Sequence, residues 1–244
     1  MQVAILAGGL ATRLRPLTGK LPKSLLPIAG RPFIDYQLSL LAASGVTDVV
    51  LCIGYLGDQI RAHCGDGSHY GLRVEYSDDE PKPLGTGGSL KNAARLLGDQ
   101  FFVTYGDAYL QCDYAAIWRY FAERPEPGLL AVYENHNRFD QSNVVMDGPY
   151  VRVYDKARPT PEMTAIDYGL SVFNRSALDL LPAGQPSDLT ALNQALIARG
   201  ELLAYPVPTR FYEIGSPAGL REFERLVGEG VIAQHPAAWV SSSS

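Results

Sequence analysis

Residues 2–27 read QVAILAGGLATRLRPLTGKLPKSLLP. The apolar run 2–6 predicts a buried strand, and Ala7-Gly8-Gly9 turns it into a glycine loop. Backbone N–H groups in such a loop can approach a ligand without a Cβ in the way. Four cationic residues follow, Arg13, Arg15, Lys20 and Lys23. Glycines beside guanidinium and ammonium groups are suited to gripping a polyphosphate. A plain turn flanked by solvated basic residues accounts for the same letters, so this stretch alone leaves both readings open. Two common phosphate motifs are missing from the chain. There is no G-x-x-x-x-G-K-S/T and no G-x-G-x-x-G, so neither a P-loop nor a nicotinamide-binding turn is supported.

Outward from this stretch, strand and helix signals alternate. Residues 32–44 place Phe33, Ile34, Leu38 and Leu41 at helical spacing, and Gly45 closes the segment. Residues 48–53, DVVLCI, form a second buried strand. A short helix over 56–63, a strand over 72–76, a helix over 88–97 and a strand over 101–105 complete the first half, ending at Gly106-Asp107. This β-α-β-α-β order predicts an α/β fold with a mainly parallel sheet and helices on both faces. Ligands of such sheets sit beyond the carboxyl ends of the strands, which puts the glycine loop and Asp107 on one edge.

The second half is richer in strands, over 129–134, 144–146, 150–154 and 166–173, a smaller β-rich subregion. A helix over 189–198, a strand over 201–205 and a last helix follow, with Ser216 as N-cap and Pro217 at the first helical position. Neither a linker nor an internal repeat is visible. One domain over 1–240 is expected, with a nucleotide half (1–112), an acceptor half (113–240) and a frayed tail (241–244).

The net charge of −5 and the lack of a Lys/Arg-rich run argue against nucleic-acid binding, so any anionic ligand needs a local pocket. The three cysteines form no C-x-x-C pair, and their odd number argues against a disulfide framework. His63 and Cys64 are neighbours with no partner cluster in view, a poor metal site. No segment has the length or apolarity of a membrane span or a signal region, so no membrane partner and a cytoplasmic location are expected.

The stretch LAGGLATRLRPLT followed by LPKSLLPIAGRPFIDY resembles the signature of sugar-1-phosphate nucleotidyltransferases, L-A-G-G-x-G-T-R-L-x-P-L-T and then P-K-P-L-x-P. Similarity runs from the first strand to the last helix, about residues 2–227. It implies a Rossmann-like sheet, a nucleoside triphosphate and a sugar 1-phosphate as substrates, Mg²⁺ as cofactor, and nucleotide-sugar supply, as for cell-surface polysaccharide. Further matches fall in order. Pro83-Leu84-Gly85-Thr86-Gly87-Gly88 resembles the nucleobase loop of guanylyltransferases acting on mannose or heptose 1-phosphates. Gly106-Asp107 resembles the metal-binding G-D, Asp155-Lys156 the sugar-phosphate E-K, and Tyr168-Gly169 the N-A-G strand. Residues 212–217, YEIGSP, resemble W-x-D-I-G-T-P, whose acid is the second magnesium ligand.

The resemblance implies roles residue by residue. Leu6, Ala7, Gly8, Gly9, Arg13, Lys23, Gly85, Thr86, Gly87 and Asp107 would bind the nucleotide. Asn143, Asp155, Lys156, Asp167 and Gly169 would hold the sugar phosphate. Arg13, Lys23 and Lys156 would be catalytic, and Asp107 with Glu213 would hold the metal. This chain departs from the pattern at Ala11 and Ser24, and at Asn143, Asp155, Asp167 and Glu213. The departures concentrate on the acceptor side. They leave room for UTP, dTTP or CTP as donor, for a non-sugar phosphate or phosphonate acceptor, and for a regulatory domain that has lost catalysis.

Overall fold

The computed structural model describes residues 1–9, 14, 18–79 and 82–233. The chain runs β1 (Gln2–Leu6), a small hairpin of β2 (Pro27–Ile28) and β3 (Arg31–Pro32), α1 (Phe33–Ala43), β4 (Asp48–Ile53), α2 (Gly57–Cys64), β5 (Arg73–Asp78), α3 (Gly85–Asn92) and β6 (Gln100–Tyr105). It continues through β7 (Ala108–Tyr109), α4 (Tyr114–Ala122), β8 (Gly128–Glu134), β9 (Val144–Asp147), β10 (Tyr150–Tyr154) and β11 (Ala165–Asn174). It ends with α5 (Leu189–Ala198), β12 (Leu202–Pro206), β13 (Tyr212–Glu213) and α6 (Pro217–Gly228).

The sheet has nine strands in the order β5-β4-β1-β6-β11-β8-β12-β10-β9. Its first four strands are parallel, as the alternating pattern predicts. Strand β11 then joins antiparallel to both β6 and β8, while β8 and β12 run parallel. The sheet is therefore mixed, and the parallel run belongs to the first half alone. Its β-rich remainder carries Asn143, Lys156 and Asp167 at or near strand ends.

Period two along β1 and β4 divides the core. Val3, Ile5, Val49, Leu51 and Ile53 face α1 through Ile34, Leu38 and Leu41. Ala4, Leu6, Val50 and Cys52 face α3 and α5 through Leu90, Leu192 and Leu196. Because both faces are covered, these strands read as unbroken apolar runs. All three cysteines are buried and free, and His63 Nε2 lies 2.6 Å from Asp35 Oδ1. Among the described residues no helix is long and apolar enough to cross a membrane.

Three differences from the sequence expectation have local causes. Helix α3 starts at Gly85 rather than residue 88, and residues 93–96 tighten into a 3-10 turn. Helix α4 was not foreseen, although Asp113 caps it by accepting from Ala116 N at 2.8 Å and Ile117 and Phe121 bury one face. The short pair β7–β13 was also not foreseen; its two-residue strands leave no periodic signal.

A third cluster closes the sheet edge beneath the hairpin. Phe223 of α6 meets Phe33 at 5.1 Å, Tyr109 at 5.1 Å and Tyr36 at 5.8 Å between ring centroids, all edge-on. Phe223 is fully buried. Phe223→Ala removes this hub and is expected to destabilise the fold by about 3–5 kcal/mol. Urea denaturation measures it, and a loss below about 1 kcal/mol would show that α6 is not anchored here.

Candidate active site

Strands β1, β4 and β6 leave the sheet on the same edge through Gly8, Gly54 and Gly106. Their loops approach so closely that side chains would not fit. A Cβ on Gly54 would lie 3.2 Å from Gly8 O, and one on Gly106 would lie 2.9 Å from the Ala7 Cβ. Beyond this floor opens a cavity of about 510 Å³, lined by Leu6, Ala7, Gly8, Gly9, Lys23, Gly85, Thr86 and Asp107 among others. Eight of the expected nucleotide residues thus meet at one place. Arg13 lies outside the described residues. Gly87 is not part of the lining: a Cβ there would lie 2.9 Å from the Asp188 carbonyl, so it packs against the acceptor half.

Lys23 stands in a 3-10 turn, Lys23–Leu25, and its Nζ donates to Asp107 Oδ2 across the cavity. Both side chains are about one-fifth exposed. Asp107 also accepts Ile214 N through its backbone carbonyl at 2.9 Å. Glu213 pairs with Ala108 across β7–β13, so the two expected metal-binding acids stand next to each other in the chain-to-chain register. The Glu213 carboxylate is turned towards the start of α6, accepting from Gly215 N at 2.5 Å and Ser216 Oγ at 3.0 Å.

The expected acceptor residues form a second cluster. Asp167 is the hub, its side chain 6% exposed. Its Oδ2 lies 3.0 Å from Lys156 Nζ and accepts from Tyr154 Oη at 2.9 Å. Oδ1 accepts from Gly169 N at 2.8 Å, where Gly169 has φ +87°. Asn143 Oδ1 accepts from Asp167 N at 2.9 Å. Asp155 takes no part: its carboxylate accepts from Ala157 N and Arg158 N at 2.8 and 2.9 Å, and these bonds hold its pKa below the usual range. Lys156 Nζ lies 5.8 Å from the centroid of Tyr105, and Tyr105 also lines the cavity. One aromatic wall separates the two clusters.

Two contributors escaped the sequence reading. Tyr105 ends β6 and looked like an ordinary strand residue. Asp79 follows β5 at the same edge, lines the cavity and is 8% exposed. Burial raises its pKa against the side chains of Ser89 and Asn92, and its Oδ1 has no hydrogen-bond partner. Its place after a strand at the carboxyl edge was the available signal.

Residues 2–229 match the nucleotidyl transferase family model. The chain is 33% identical to a mannose-1-phosphate guanylyltransferase of Mycobacterium tuberculosis, over 89% of this chain and 62% of that one. It is 30% identical to an N-acetylmuramate alpha-1-phosphate uridylyltransferase of Neisseria meningitidis serogroup B, over 93% of this chain and 99% of that one. A crystal structure of HddC from Yersinia pseudotuberculosis complexed with GMP-PN is 25% identical with a TM-score of 0.73, covering 91% of this chain and 96% of that one.

The Lys156 ammonium has two opposing influences. Burial disfavours its charge, and the Asp167 carboxylate outweighs it, so the pKa stands above the ordinary lysine value. The ion pair therefore contributes stability throughout the range below the unfolded lysine pKa, and that contribution is lost only as pH rises through the higher folded value. Asp167→Asn leaves the burial and removes the carboxylate, so the Lys156 pKa is expected to fall. Amine labelling at mildly alkaline pH, read by mass spectrometry, should show Lys156 reacting faster in the variant than in the wild type. Equal labelling would show that Asp167 does not hold the charge.

Proposed function

Because the chain belongs to the nucleotidyl transferase family, we propose that it transfers a nucleoside monophosphate from a nucleoside triphosphate to a sugar 1-phosphate and releases pyrophosphate. GTP is the proposed donor and a mannose- or heptose-type 1-phosphate the proposed acceptor. The observation that carries this reading is one sheet edge with two cationic centres, Lys23 inside a nucleotide-sized cavity and Lys156 just beyond the Tyr105 wall.

The chemistry is attack by one anion on another, so it needs neutralisation and alignment more than proton transfer. Lys156 would hold the acceptor's phosphate and Lys23 the α-phosphate under attack. Arg13, with its two-pronged guanidinium, would take the β- and γ-phosphates and ease the departure of pyrophosphate. No general base is needed, because a phosphate monoester is already ionised near neutral pH. Asn143, Asp167 and Gly169 would shape the acceptor side around Lys156, and residues 1–112 and 113–240 would serve donor and acceptor respectively.

The donor set suits Mg²⁺. Among the described residues no group of three or more His, Cys, Asp or Glu could hold a metal. A hard ion that takes much of its coordination from substrate phosphates needs only one or two carboxylates. Asp107 faces the cavity, and Glu213, on the neighbouring strand, would join it by releasing Gly215 N or Ser216 Oγ. The bound ion would supply charge neutralisation at the phosphates.

Asp79 supports guanine. Its carboxylate oxygen lacks a donor in a site walled by Gly8 and Gly54. Guanine offers N1–H and N2–H side by side, whereas uracil and thymine flank their single N–H with carbonyl oxygens that repel a carboxylate. The HddC structure with GMP-PN, a guanine nucleotide, points the same way. One observation favours UTP instead: the chain spans nearly the whole length of the uridylyltransferase relative but only 62% of the guanylyltransferase one. A cytoplasmic location and a role in supplying sugars for surface polysaccharide belong to the same proposal. Pyrophosphate release, with GTP, UTP, dTTP and CTP crossed against a panel of sugar 1-phosphates in Mg²⁺, tests all of this. GTP with mannose or heptose 1-phosphate is expected to turn over fastest. Faster turnover with another base would overturn the donor, and no turnover with any pair would overturn the reaction.

A further inference from the structure

We propose that Thr86 is a positioning residue that braces the donor loop against the acceptor half, so that its hydroxyl serves the sugar-phosphate side and not the nucleotide. The proposal rests on the transferase reading for the roles of the two halves. Thr86 Oγ1 accepts the backbone N–H of Leu189 at 2.8 Å, 103 residues further along the chain. Leu189 is the first residue of α5, so this bond satisfies one of the unpaired N–H groups at that helix start. A hydroxyl committed to a buried backbone N–H is poorly placed to reach a ligand as well.

Backbone bonds on either side reinforce the join. Gly87 N and Gly88 N both donate to Ser187 O, at 2.9 and 3.2 Å, and Ser187 N donates to Leu84 O at 2.9 Å. The loop's glycines serve this contact. A Cβ on Gly85 would lie 2.5 Å from Ser187 O, and one on Gly88 2.8 Å from Gln185 O. Real Cβ atoms do not approach backbone so closely, so residues 185–188 can lie on the loop only because these positions are glycine. The glycine-rich motif thus has a structural cause apart from admitting a nucleobase.

The braced segment ends beside the acceptor cation. Asp188 caps α5 by accepting from Thr190 N at 2.7 Å. Burial works against its charge, and the Thr190 and Thr86 hydrogen bonds and the nearby Lys156 charge offset this and hold its pKa low. Asp188 in turn helps to keep Lys156 charged, after the larger influence of Asp167. Helix α5 also packs on β10, which ends at Tyr154, a hydrogen-bond partner of Asp167. Loosening the Thr86–Leu189 bond frees the start of α5 and shifts the surroundings of Lys156, while the cavity floor at Gly8, Gly54 and Gly106 is untouched.

Two measurements test this. Hydrogen–deuterium exchange on the ligand-free protein needs no substrate. Thr86→Val keeps the side chain's shape and removes the acceptor oxygen, so the amides of residues 187–191 should exchange about tenfold faster, with α1 unchanged. In the second, calorimetry with GTP should give a Kd within about twofold of wild type, while KM for mannose 1-phosphate rises about tenfold; Thr86→Ser should restore both readouts. Unchanged exchange in Thr86→Val would overturn the brace. A GTP Kd that rises as much as the acceptor KM would make the hydroxyl a nucleotide contact and overturn the positioning role. A wild-type protein inactive with every substrate pair would sink the transferase reading, and the exchange result would still decide the brace.

Discussion

The closeness of three loops at the carboxyl edge of β1, β4 and β6 sets the rest of the site. Parallel strands in register deliver their loops to the same edge. Ordinary side chains at Gly8, Gly54 and Gly106 would push those loops apart. With glycine there, the backbone itself becomes the cavity floor, and N–H groups are brought to where an anionic ligand would lie. Lys23, Asp107 and Thr86 gain their relative positions from this edge. The β-rich remainder then attaches through β11 to β6, which brings Lys156 to the far side of Tyr105.

Charge is arranged locally within an acidic protein. Each cation of the two clusters has a resident carboxylate, Asp107 for Lys23 and Asp167 for Lys156. Partly enclosed ammonium groups without such partners would tend to lose their protons. The pairing keeps the cations charged before substrate arrives, and it fixes where each ammonium points. A net charge of −5 gives no general attraction for phosphates, so recognition depends on these paired centres.

Much of this was legible in the sequence, for physical reasons that can be named. Strands β1 and β4 read clearly because both faces are buried and apolar residues run without interruption. Ser216 and Pro217 marked the start of α6 because capping is a local chemistry, and Ser216 Oγ does accept from Gly219 N. What escaped depends on contacts between distant segments. Asp155 looked like a sugar contact until its carboxylate was seen to close on Ala157 N and Arg158 N. Gly87 looked like part of the nucleotide site and packs on Asp188. Asp79 and Tyr105 carry no motif, and only the meeting of β5, β6 and the glycine loops gives them a place in the cavity.

The central claim is that the edge holding Asp107 and Lys23 is a reaction centre. Turnover of Asp107→Asn at saturating substrates and Mg²⁺, with a thermal melt of the same protein, tests it most directly. The substitution keeps the side chain's size and removes the charge. The account predicts a kcat reduced more than about tenfold, a barrier raised by more than about 1.4 kcal/mol, in a protein that still melts cooperatively. A folded Asp107→Asn protein with the wild-type kcat would contradict it.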